Sequence, residues 1–364
     1  MESNMSTTQE QTGFPCEKCG AQLSFEPGQS QLTCPYCDHV QNIPVINEQV
    51  EIKEHDYLIA LSNPALVNVS NINNQGKEVE CTNCGASTII SGAATSCPFC
   101  DSPMVIKENE EGMILPESLL PFAVDKTYAQ TTFKTWIASR WFAPNDLVQK
   151  ARNEGMDGVY LPYWTYDSET RTEYRGERGE HYYVEKEYTD SDGRTQTRRE
   201  RKTRWYNARG RIRRSFDDVM VCASKSLPQK LFDGLEPWPT KELKPYNPGY
   251  LAGFSAERYA ISLKDGFSLA EKKMDAEIRR AIKQDIGGDE QRIHRVDTRH
   301  DNITYKLVFL PLWISSFRYN EKVYRFLINA QTGEANGERP YSIIKITLAV
   351  LVVIGVFALI YMNA

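Results

Sequence analysis

Eight of the nine cysteines fall in four Cys-x-x-Cys pairs, which form two matched sets. Cys16 and Cys19 are followed after fourteen residues by Cys34 and Cys37, and Cys81 and Cys84 after twelve by Cys97 and Cys100. One such pair offers two thiolates from a single tight turn, and two turns brought together complete the four-sulfur tetrahedron that zinc prefers. The gaps fall slightly short of the usual span of about 15–20 residues, which only shortens the hairpins between the turns. Gly20 and Gly85 directly follow the second cysteine of each leading pair, where a positive φ is often needed. In the trailing pairs Pro35 and Pro98 fix the turn, and Tyr36 and Phe99 are placed to pack beside the metal. Redox dithiols are the alternative chemistry, and they do not account for two matched sets. His39 follows the first set and could replace a ligand, but four thiolates already suffice. With every position filled by protein no site is left for water, so both zinc ions are expected to be structural. A module of about twenty residues buries too little to fold alone. Metal binding would then supply its folding free energy, on the order of 10 kcal/mol.

The 364 residues allow two or three domains, and the composition, 41% hydrophobic and 25% charged, is that of a folded protein. A net charge of −5 argues against a surface that coats nucleic acid as a whole. The first twenty residues show no basic start and no apolar run, so no secretory signal is expected and the thiols are expected to stay reduced in the cytosol. At the other end, residues 346–362 run uncharged. As a helix this run spans about 26 Å, close to the ~30 Å of a bilayer core. Tyr341 and Tyr361 sit at its two ends, and Arg339 and Lys345 flank its N-terminal side, which places that side in the cytoplasm. A helix packed against one side of a core would be apolar on one stripe; this one is apolar all round, which argues for a membrane span over a core helix in a chain of this size.

The expected organisation is α+β. It comprises a first zinc ribbon over 1–43, a linker with a short helix over 44–78, a second zinc ribbon over 79–107, a duplicated body over 115–339 and a transmembrane tail anchor over 340–364. In the linker, a helix over Glu48–Ser62 would carry Val50, Tyr57, Leu58 and Leu61 on its apolar side. The duplication shows as Val159-Tyr-Leu-Pro-Tyr-Trp164 and Val308-Phe-Leu-Pro-Leu-Trp313. Each is preceded by a strand and a helix: Pro121–Val124 with Thr127–Phe142, and Tyr259–Leu263 with Ser268–Lys283. Phe317–Tyr319 and Val323–Ile328 read as a hairpin after the second copy. The unit is thus strand–helix–strand–strand.

Between the copies, residues 194–214 hold ten Arg or Lys and one Glu, whereas 167–192 hold nine acids and four bases. The Asp190-Ser-Asp-Gly193 turn signal makes His181–Thr189 and Arg194–Trp205 a charged hairpin near 181–205. Its acids and bases would face each other, Arg198 meeting Glu187 or Glu185 according to loop length. The excess of positive charge leaves three readings open: a solvated ribbon, a contact with nucleic acid or anionic lipid in which Trp205 and Tyr206 stack bases or sit at headgroups, or an acidic protein partner.

Signs of catalysis are lacking. No phosphate-cradling Gly-x-x-x-x-Gly-Lys loop is present, no His-Glu-x-x-His and no Gly-x-Ser-x-Gly. His294 and His300 flank a strand-like stretch and read as surface residues. Asp217 and Asp218 could ligate a metal, though a turn explains them more simply. Gly287 and Gly288 in Asp285–Asp289 read as a helix C-cap, and Cys222 as a small buried residue. The chain is therefore expected not to be an enzyme, with no catalytic residue and no small-molecule substrate.

Several phrases together carry a resemblance: Leu161-Pro-Tyr-Trp-Thr-Tyr-Asp167, Tyr174-Arg-Gly-Glu-Arg-Gly179, Phe216-Asp-Asp-Val219, Tyr246-Asn-Pro-Gly-Tyr-Leu-Ala-Gly-Phe254, Asp285–Ile293 and Thr332-Gly-Glu334. They resemble the bacterial TFIIB-type zinc-ribbon membrane proteins, often labelled primosomal protein N′ or superfamily II helicase-like. The resemblance runs from Cys16 onward and implies metal ligation by all eight paired cysteines. The helicase label does not carry over, because no ATPase motif stands here. Genes of this family often neighbour flotillin-like (SPFH) and phage-shock-type membrane proteins. That implies membrane-protein partners and a part in envelope maintenance or membrane stress, by association alone. The expected function is a non-enzymatic membrane adaptor, with a membrane-linked DNA- or RNA-binding protein using the ribbons and the 194–214 strand as the alternative.

Overall fold

Alternating polar and β-prone residues, with few glycines or prolines to interrupt them, give this chain three strands far longer than the usual five or six residues. They are β9 (Asp157–Thr189), β10 (Thr195–Cys222) and β13 (Glu290–Tyr319). At ~3.3 Å per residue β9 alone extends roughly 100 Å. The structure, a computed structural model, describes residues 14–43, 52–63, 77–90, 97–100, 102, 104–106, 114–147, 155–189 and 194–363.

The other strands are short. In chain order they are β1 (Ser24–Phe25), β2 (Gln31–Thr33), β3 (Val40–Asn42), β4 (His55–Asp56), β5 (Lys77–Cys81), β6 (Ser87–Ile90), β7 (Met104–Ile106), β8 (Ser118–Leu119), β11 (Lys244–Pro245), β12 (Ser255–Glu257), β14 (Lys322–Asn329) and β15 (Ala335–Gly337). Among the described residues the helices are α1 (Tyr57–Ser62), α2 (Lys126–Ala138), α3 (Gln229–Asp233), α4 (Leu263–Ile286) and α5 (Ile343–Asn363). Strands β1–β3 form a small antiparallel sheet, and the rest join one large sheet whose path runs β11-β8-β13-β9-β12-β6-β5-β7. The fold is α+β, as expected.

The two six-residue phrases lie side by side at its centre. β9 and β13 pair antiparallel with Leu161 opposite Leu310, the third residue of each phrase. Their surroundings repeat. β12 runs parallel to β9 at Val159 and Tyr160, and β8 runs parallel to β13 at Val308 and Phe309. The Trp164 indole donates to Ile261 O at 2.9 Å, and the Trp313 indole to Val124 O at 2.7 Å. The amides of Ala260 and Ile261 both reach Ala223 O, while those of Ala123 and Val124 both reach Ala330 O. Each phrase is followed by an antiparallel partner, β10 for the first and β14 for the second.

Those bonds explain two displaced strands. The strand expected at Pro121–Val124 lies at Ser118–Leu119, and the one expected at Tyr259–Leu263 lies at Ser255–Glu257. In both cases the later residues turn off the sheet to bond an alanine carbonyl at the end of the neighbouring hairpin. Helix α2 starts where Asp125 caps the Tyr128 amide and ends at Ala138, four residues before the expected Phe142. Helix α4 is longer than expected at both ends. Ser262 caps it, Gly287 closes it at φ 65°, and Phe267, Ala270, Met274, Ile278 and Ile282 form its buried stripe. Of the helix expected over Glu48–Ser62 only Tyr57–Ser62 forms. Residues 52–54 are not helical, His55–Asp56 pairs as β4, and the Asp56 side chain caps the helix by accepting from the Ile59 amide, while Val50 lies outside the described residues. It buries Tyr57 and Ala60 against Tyr166 and Phe267, and leaves Leu58 (64%) and Leu61 (40%) exposed. A single short turn against a sheet can bury only one narrow face.

The hairpin at Tyr319–Lys322 forms as expected, with Asn320 and Glu321 both at positive φ as a tight two-residue turn requires. The charged hairpin also forms, but its strands extend far beyond 181–205. Thr189 pairs with Thr195, leaving the five residues 190–194 between the strands, so Arg198 faces Lys186 and Arg199 faces Glu185. β10, β9 and the first part of β13 thus build a three-stranded arm, one face of which is covered by α4. Close packing within the arm selects small residues at Gly176 and Gly210. A Cβ there would stand 2.2 Å from Arg292 O and 2.5 Å from the Tyr174 hydroxyl, respectively.

Candidate metal centres and charged clusters

The structure brings the cysteines together as two groups of four, Cys16, Cys19, Cys34, Cys37 and Cys81, Cys84, Cys97, Cys100. The Sγ atoms stand 3.6 Å apart for Cys16–Cys37, 3.5 Å for Cys19–Cys34, 3.4 Å for Cys81–Cys100 and 3.7 Å for Cys84–Cys97. A disulfide needs about 2.0 Å. Four thiolates at ~2.3 Å from a tetrahedral zinc ion lie ~3.8 Å from one another, so both sets fit one zinc-sized ion.

All four turns share one pattern. The leading cysteine amide donates to the carbonyl five residues on, Ala21, His39, Ala86 or Ser102, at 2.7–2.9 Å. Gly20, Asp38 and Gly85, which follow the second cysteine, all have positive φ. His39 therefore serves its turn through its carbonyl. Burial works against ionisation of Cys34, but amide hydrogen bonds from Tyr36 and Cys37 outweigh it and bring its thiol down to about 7. The hydrogen bond from Cys97 chiefly brings Cys84 down to about 5. In the same sets Cys19, Cys37, Cys81 and Cys97 shift the other way, so ionisation of all four sulfurs together would need the charge of a bound metal.

The two aromatic residues of the trailing turns part company. Phe99 is fully buried, whereas Tyr36 is 81% exposed. The difference lies in the seats of the two ribbons. The second ribbon is built into the body: β6 pairs with β12, Arg325 Nε donates to Phe99 O at 2.7 Å, and its cysteines share a core with Val159, Leu161, Leu310 and Leu312. The first ribbon rests on the phrase Tyr246–Phe254 and on Phe122. The Phe25 amide donates to Ala252 O, the Phe25 ring stands 5.2 Å from Tyr250, and the Gly28 amide donates to Phe122 O. Its second turn faces solvent.

The remaining candidates are dispersed. Cys222 is fully buried beside Tyr163, and burial raises its thiol pKa. His294 lies 3.4 Å from Glu177, and His300 bonds Ser168 at 3.2 Å while facing Phe267. Asp285 accepts from the Tyr174 hydroxyl, and Asp289 accepts from the His181 amide. Trp205 is half-buried, with the Arg292 guanidinium 3.7 Å over its ring, so that face is not open to a base.

Asp217 and Asp218 form a bulge in β10, with Asp218 at φ 52°. Asp218, Asp167 and Glu54 converge closely enough to ligate an ion, but the positive charge is built in. Lys306, only 8% exposed, reaches Asp218 at 2.8 Å and Glu54 at 2.9 Å. Burial pushes Asp167 up to about 6, and its hydrogen bond to Glu54, followed by Lys306, holds Glu54 down at about 2. Of this cluster the sequence flagged only Asp218 as a possible ligand, since its members are spread over more than two hundred residues. Lys306→Met should destabilise the full chain in detergent by about 3 kcal/mol at pH 7, because it leaves carboxylates without their cation. Glu54 is more than a third exposed, so screening leaves it roughly 1 kcal/mol of this. Its share is present above its ordinary value of 4.5 and is lost as pH falls towards 2. Denaturant melts of parent and variant should therefore draw closer by up to roughly 1 kcal/mol over that window; a constant gap would mean that Glu54 owes nothing to Lys306.

The solvent face of the arm carries a second unforeseen pattern. Across β10, β9 and β13, Arg209, Arg175 and Arg295 stand in one row and Arg213, Arg171 and Arg299 in another. Between them lie Arg211, Glu173 and Asp297, and beyond them Ser215, Glu169 and Asp301. Arg211 pairs with Glu173 at 2.9 Å, Arg295 with Asp297 at 2.8 Å and Arg171 with Asp301 at 3.2 Å. Among the described residues, Arg175, Arg209, Arg213 and Arg299 have no carboxylate partner. Like charges directly opposite one another are unfavourable in a sheet.

Helix α5 is exposed along its whole length, and Ile343–Met362 is long and apolar enough to cross a membrane. No family model matches this chain, and no solved structure does. It is 26% identical over 336 residues, 90% of each chain, to the uncharacterized protein YdjG of Bacillus subtilis (strain 168).

Proposed function

We propose that this chain is a zinc-binding, membrane-anchored adaptor without catalytic activity. Two ribbons hold one structural zinc ion each, and the body is two copies of one strand–helix–strand–strand unit. The arm inserted in the first copy meets a partner, and α5 fixes the chain in the cytoplasmic membrane with the ribbons in the cytoplasm. The observation that carries this reading is the pair of three-arginine rows on the exposed face of the arm, a surface that an anionic partner would relieve. Four thiolates per metal leave no open coordination position, which favours a structural role for the zinc. The partner is an acidic surface of a membrane protein, in keeping with the resemblance to a family associated with flotillin-like and phage-shock-type proteins in envelope maintenance.

A capture experiment from detergent-solubilised membranes tests the arm. Arg175, Arg209, Arg213 and Arg299, all replaced by Gln, should leave folding and metal content intact, since exposed charges contribute ~0–1 kcal/mol each. The parent should capture membrane proteins in a manner that weakens steeply with salt, and the variant should not. Equal capture by both would defeat the adaptor reading. Salt-sensitive binding of short DNA or RNA by the parent, lost in the variant and without membrane-protein capture, would establish the nucleic-acid reading in its place. Truncation before Tyr341 checks the anchor separately: the shortened protein should leave the membrane fraction, and persistent association would mean a second attachment.

A further inference from the structure

We infer that a cleft at the root of α5 binds the phosphate of an anionic phospholipid headgroup. This rests on the reading of α5 as a membrane span. The start of that helix is fastened to the segment after α2. The Ser342 amide donates to Phe142 O at 2.8 Å, and Lys345 Nζ donates to Trp141 O at 3.1 Å and Ala143 O at 2.7 Å. Trp141, 84% exposed, therefore stands level with the first turn of the apolar helix. That is the depth at which indole and phenol rings settle in a bilayer, and at which lipid phosphates lie.

At this level a cleft of about 500 Å³ opens, lined by Trp136, Arg140, Lys322, Tyr324, Arg339 and Tyr341 among others. Each cation stands over a ring of the same cleft: Arg140 at 4.6 Å over Trp136, Lys322 at 5.5 Å over Tyr324 and Arg339 at 5.2 Å over Tyr341. The rings hold the cations in place while leaving N–H donors for a ligand. None of the three has a carboxylate partner among the described residues. Glu338, the acid lining the cleft, is engaged by Arg325 at 3.4 Å. Three cations against one compensated acid select an anionic headgroup over a zwitterionic one, and the two arginines suit phosphate geometry. The cleft is far along the chain from the basic strand of residues 194–214, and its cations come from three separate segments.

The test uses the full chain in bilayers of phosphatidylcholine carrying a minor share of phosphatidylglycerol. Lipid retained on extraction is identified by native mass spectrometry. A cation beside an anionic leaflet gives about a fivefold preference, so three give one of the order of a hundredfold. The parent should retain phosphatidylglycerol selectively, and the triple variant Arg140→Gln, Lys322→Gln, Arg339→Gln should lose that selectivity. A second triple variant, Arg209→Gln, Arg211→Gln, Arg213→Gln, removes the same charge from the arm and should keep it. Inorganic phosphate or glycerol phosphate in excess should not displace the lipid. Retained selectivity in the first variant, equal loss in the second, or displacement by soluble phosphate would each overturn the lipid site. A parent that fails to insert into pure phosphatidylcholine would overturn the membrane reading as well, whereas insertion without selectivity overturns the cleft alone.

Discussion

Replacing Cys97 with serine is expected to remove one of two zinc ions per chain and to loosen the centre of the large sheet. Cys97 is buried, 3.7 Å from Cys84, in a core that continues through Phe99 into Val159, Leu161 and Leu310. A zinc ion held by this set would contribute on the order of 10 kcal/mol, comparable with the ~5–15 kcal/mol total stability of a domain. The second ribbon cannot stay folded without it. Its loss exposes Phe99, withdraws a carbonyl from Arg325 and leaves β12 without β6. Cys19→Ser should behave differently. Cys19 is exposed, and the first ribbon is a separate small sheet seated on Tyr246–Phe254. That variant should also drop to one ion, but its disorder should stop at the ribbon and its seat. Elemental analysis gives the ion count, and amide exchange along β9 and β13 gives the extent of the damage. A parent with fewer than two ions would defeat the zinc assignment. Equal central exchange in both variants would defeat the view that only the second ribbon is part of the body.

The difference between the two ribbons shows where sequence reading stops. Spacing alone identified the eight cysteines, because a Cys-x-x-Cys turn is a local object and its glycine and proline requirements are local too. The apolar C-terminal run was legible for the same reason. Seating was not. Tyr36 and Phe99 occupy equivalent places in equivalent turns, and only the neighbours decide that one is buried and the other bare. The repeated phrases were visible, yet nothing in their spacing showed that Leu161 and Leu310 would face each other across one ladder. Strand ends were misplaced by a few residues where tertiary hydrogen bonds to Ala223 and Ala330 outweighed local preference.

The arm illustrates the same limit in charge. Composition showed an excess of arginine in residues 194–214, and cross-strand pairing with the acids of 167–192 was a sound expectation for an isolated hairpin. A third strand, β13, adds Arg295 and Arg299 to the rows that β10 and β9 begin. Register then decides everything. A shift by two residues would have put Arg209 opposite Glu173 or Glu177, whereas the observed register sets it opposite Arg175. Arg214, counted in sequence with the basic run, lies one residue out of phase with Arg211 and Arg213, and its carbonyl accepts from Thr170 on the face covered by α4.

Glu257 leads to the second large effect, on pH dependence. It is buried in β12, where its Oε1 accepts from the Ser224 and Ser226 hydroxyls and its Oε2 has no hydrogen-bond partner among the described residues. Burial dominates and pushes the carboxyl up to about 8, although the two hydroxyls work in the opposite direction. The folded protein then keeps a proton that the unfolded chain releases near 4.5. Stability is full below that value and falls as pH rises towards 8, by up to about 1.4 kcal/mol per pH unit. Between pH 5 and 8 this amounts to about 4 kcal/mol from one residue. Glu257→Gln keeps the shape and the acceptor oxygen but has no proton to lose. Denaturant melts at pH 5 should place parent and variant within about 1 kcal/mol, and at pH 8 the variant should be the more stable by several kcal/mol. Glu257→Ala separates charge from hydrogen bonding. It strands two buried hydroxyls and should be destabilised relative to Gln by about 1–3 kcal/mol at every pH. Parallel pH profiles for parent and Glu257→Gln would show that the carboxyl ionises freely in the folded state, with water or a neighbouring cation reaching it between β12 and the second ribbon.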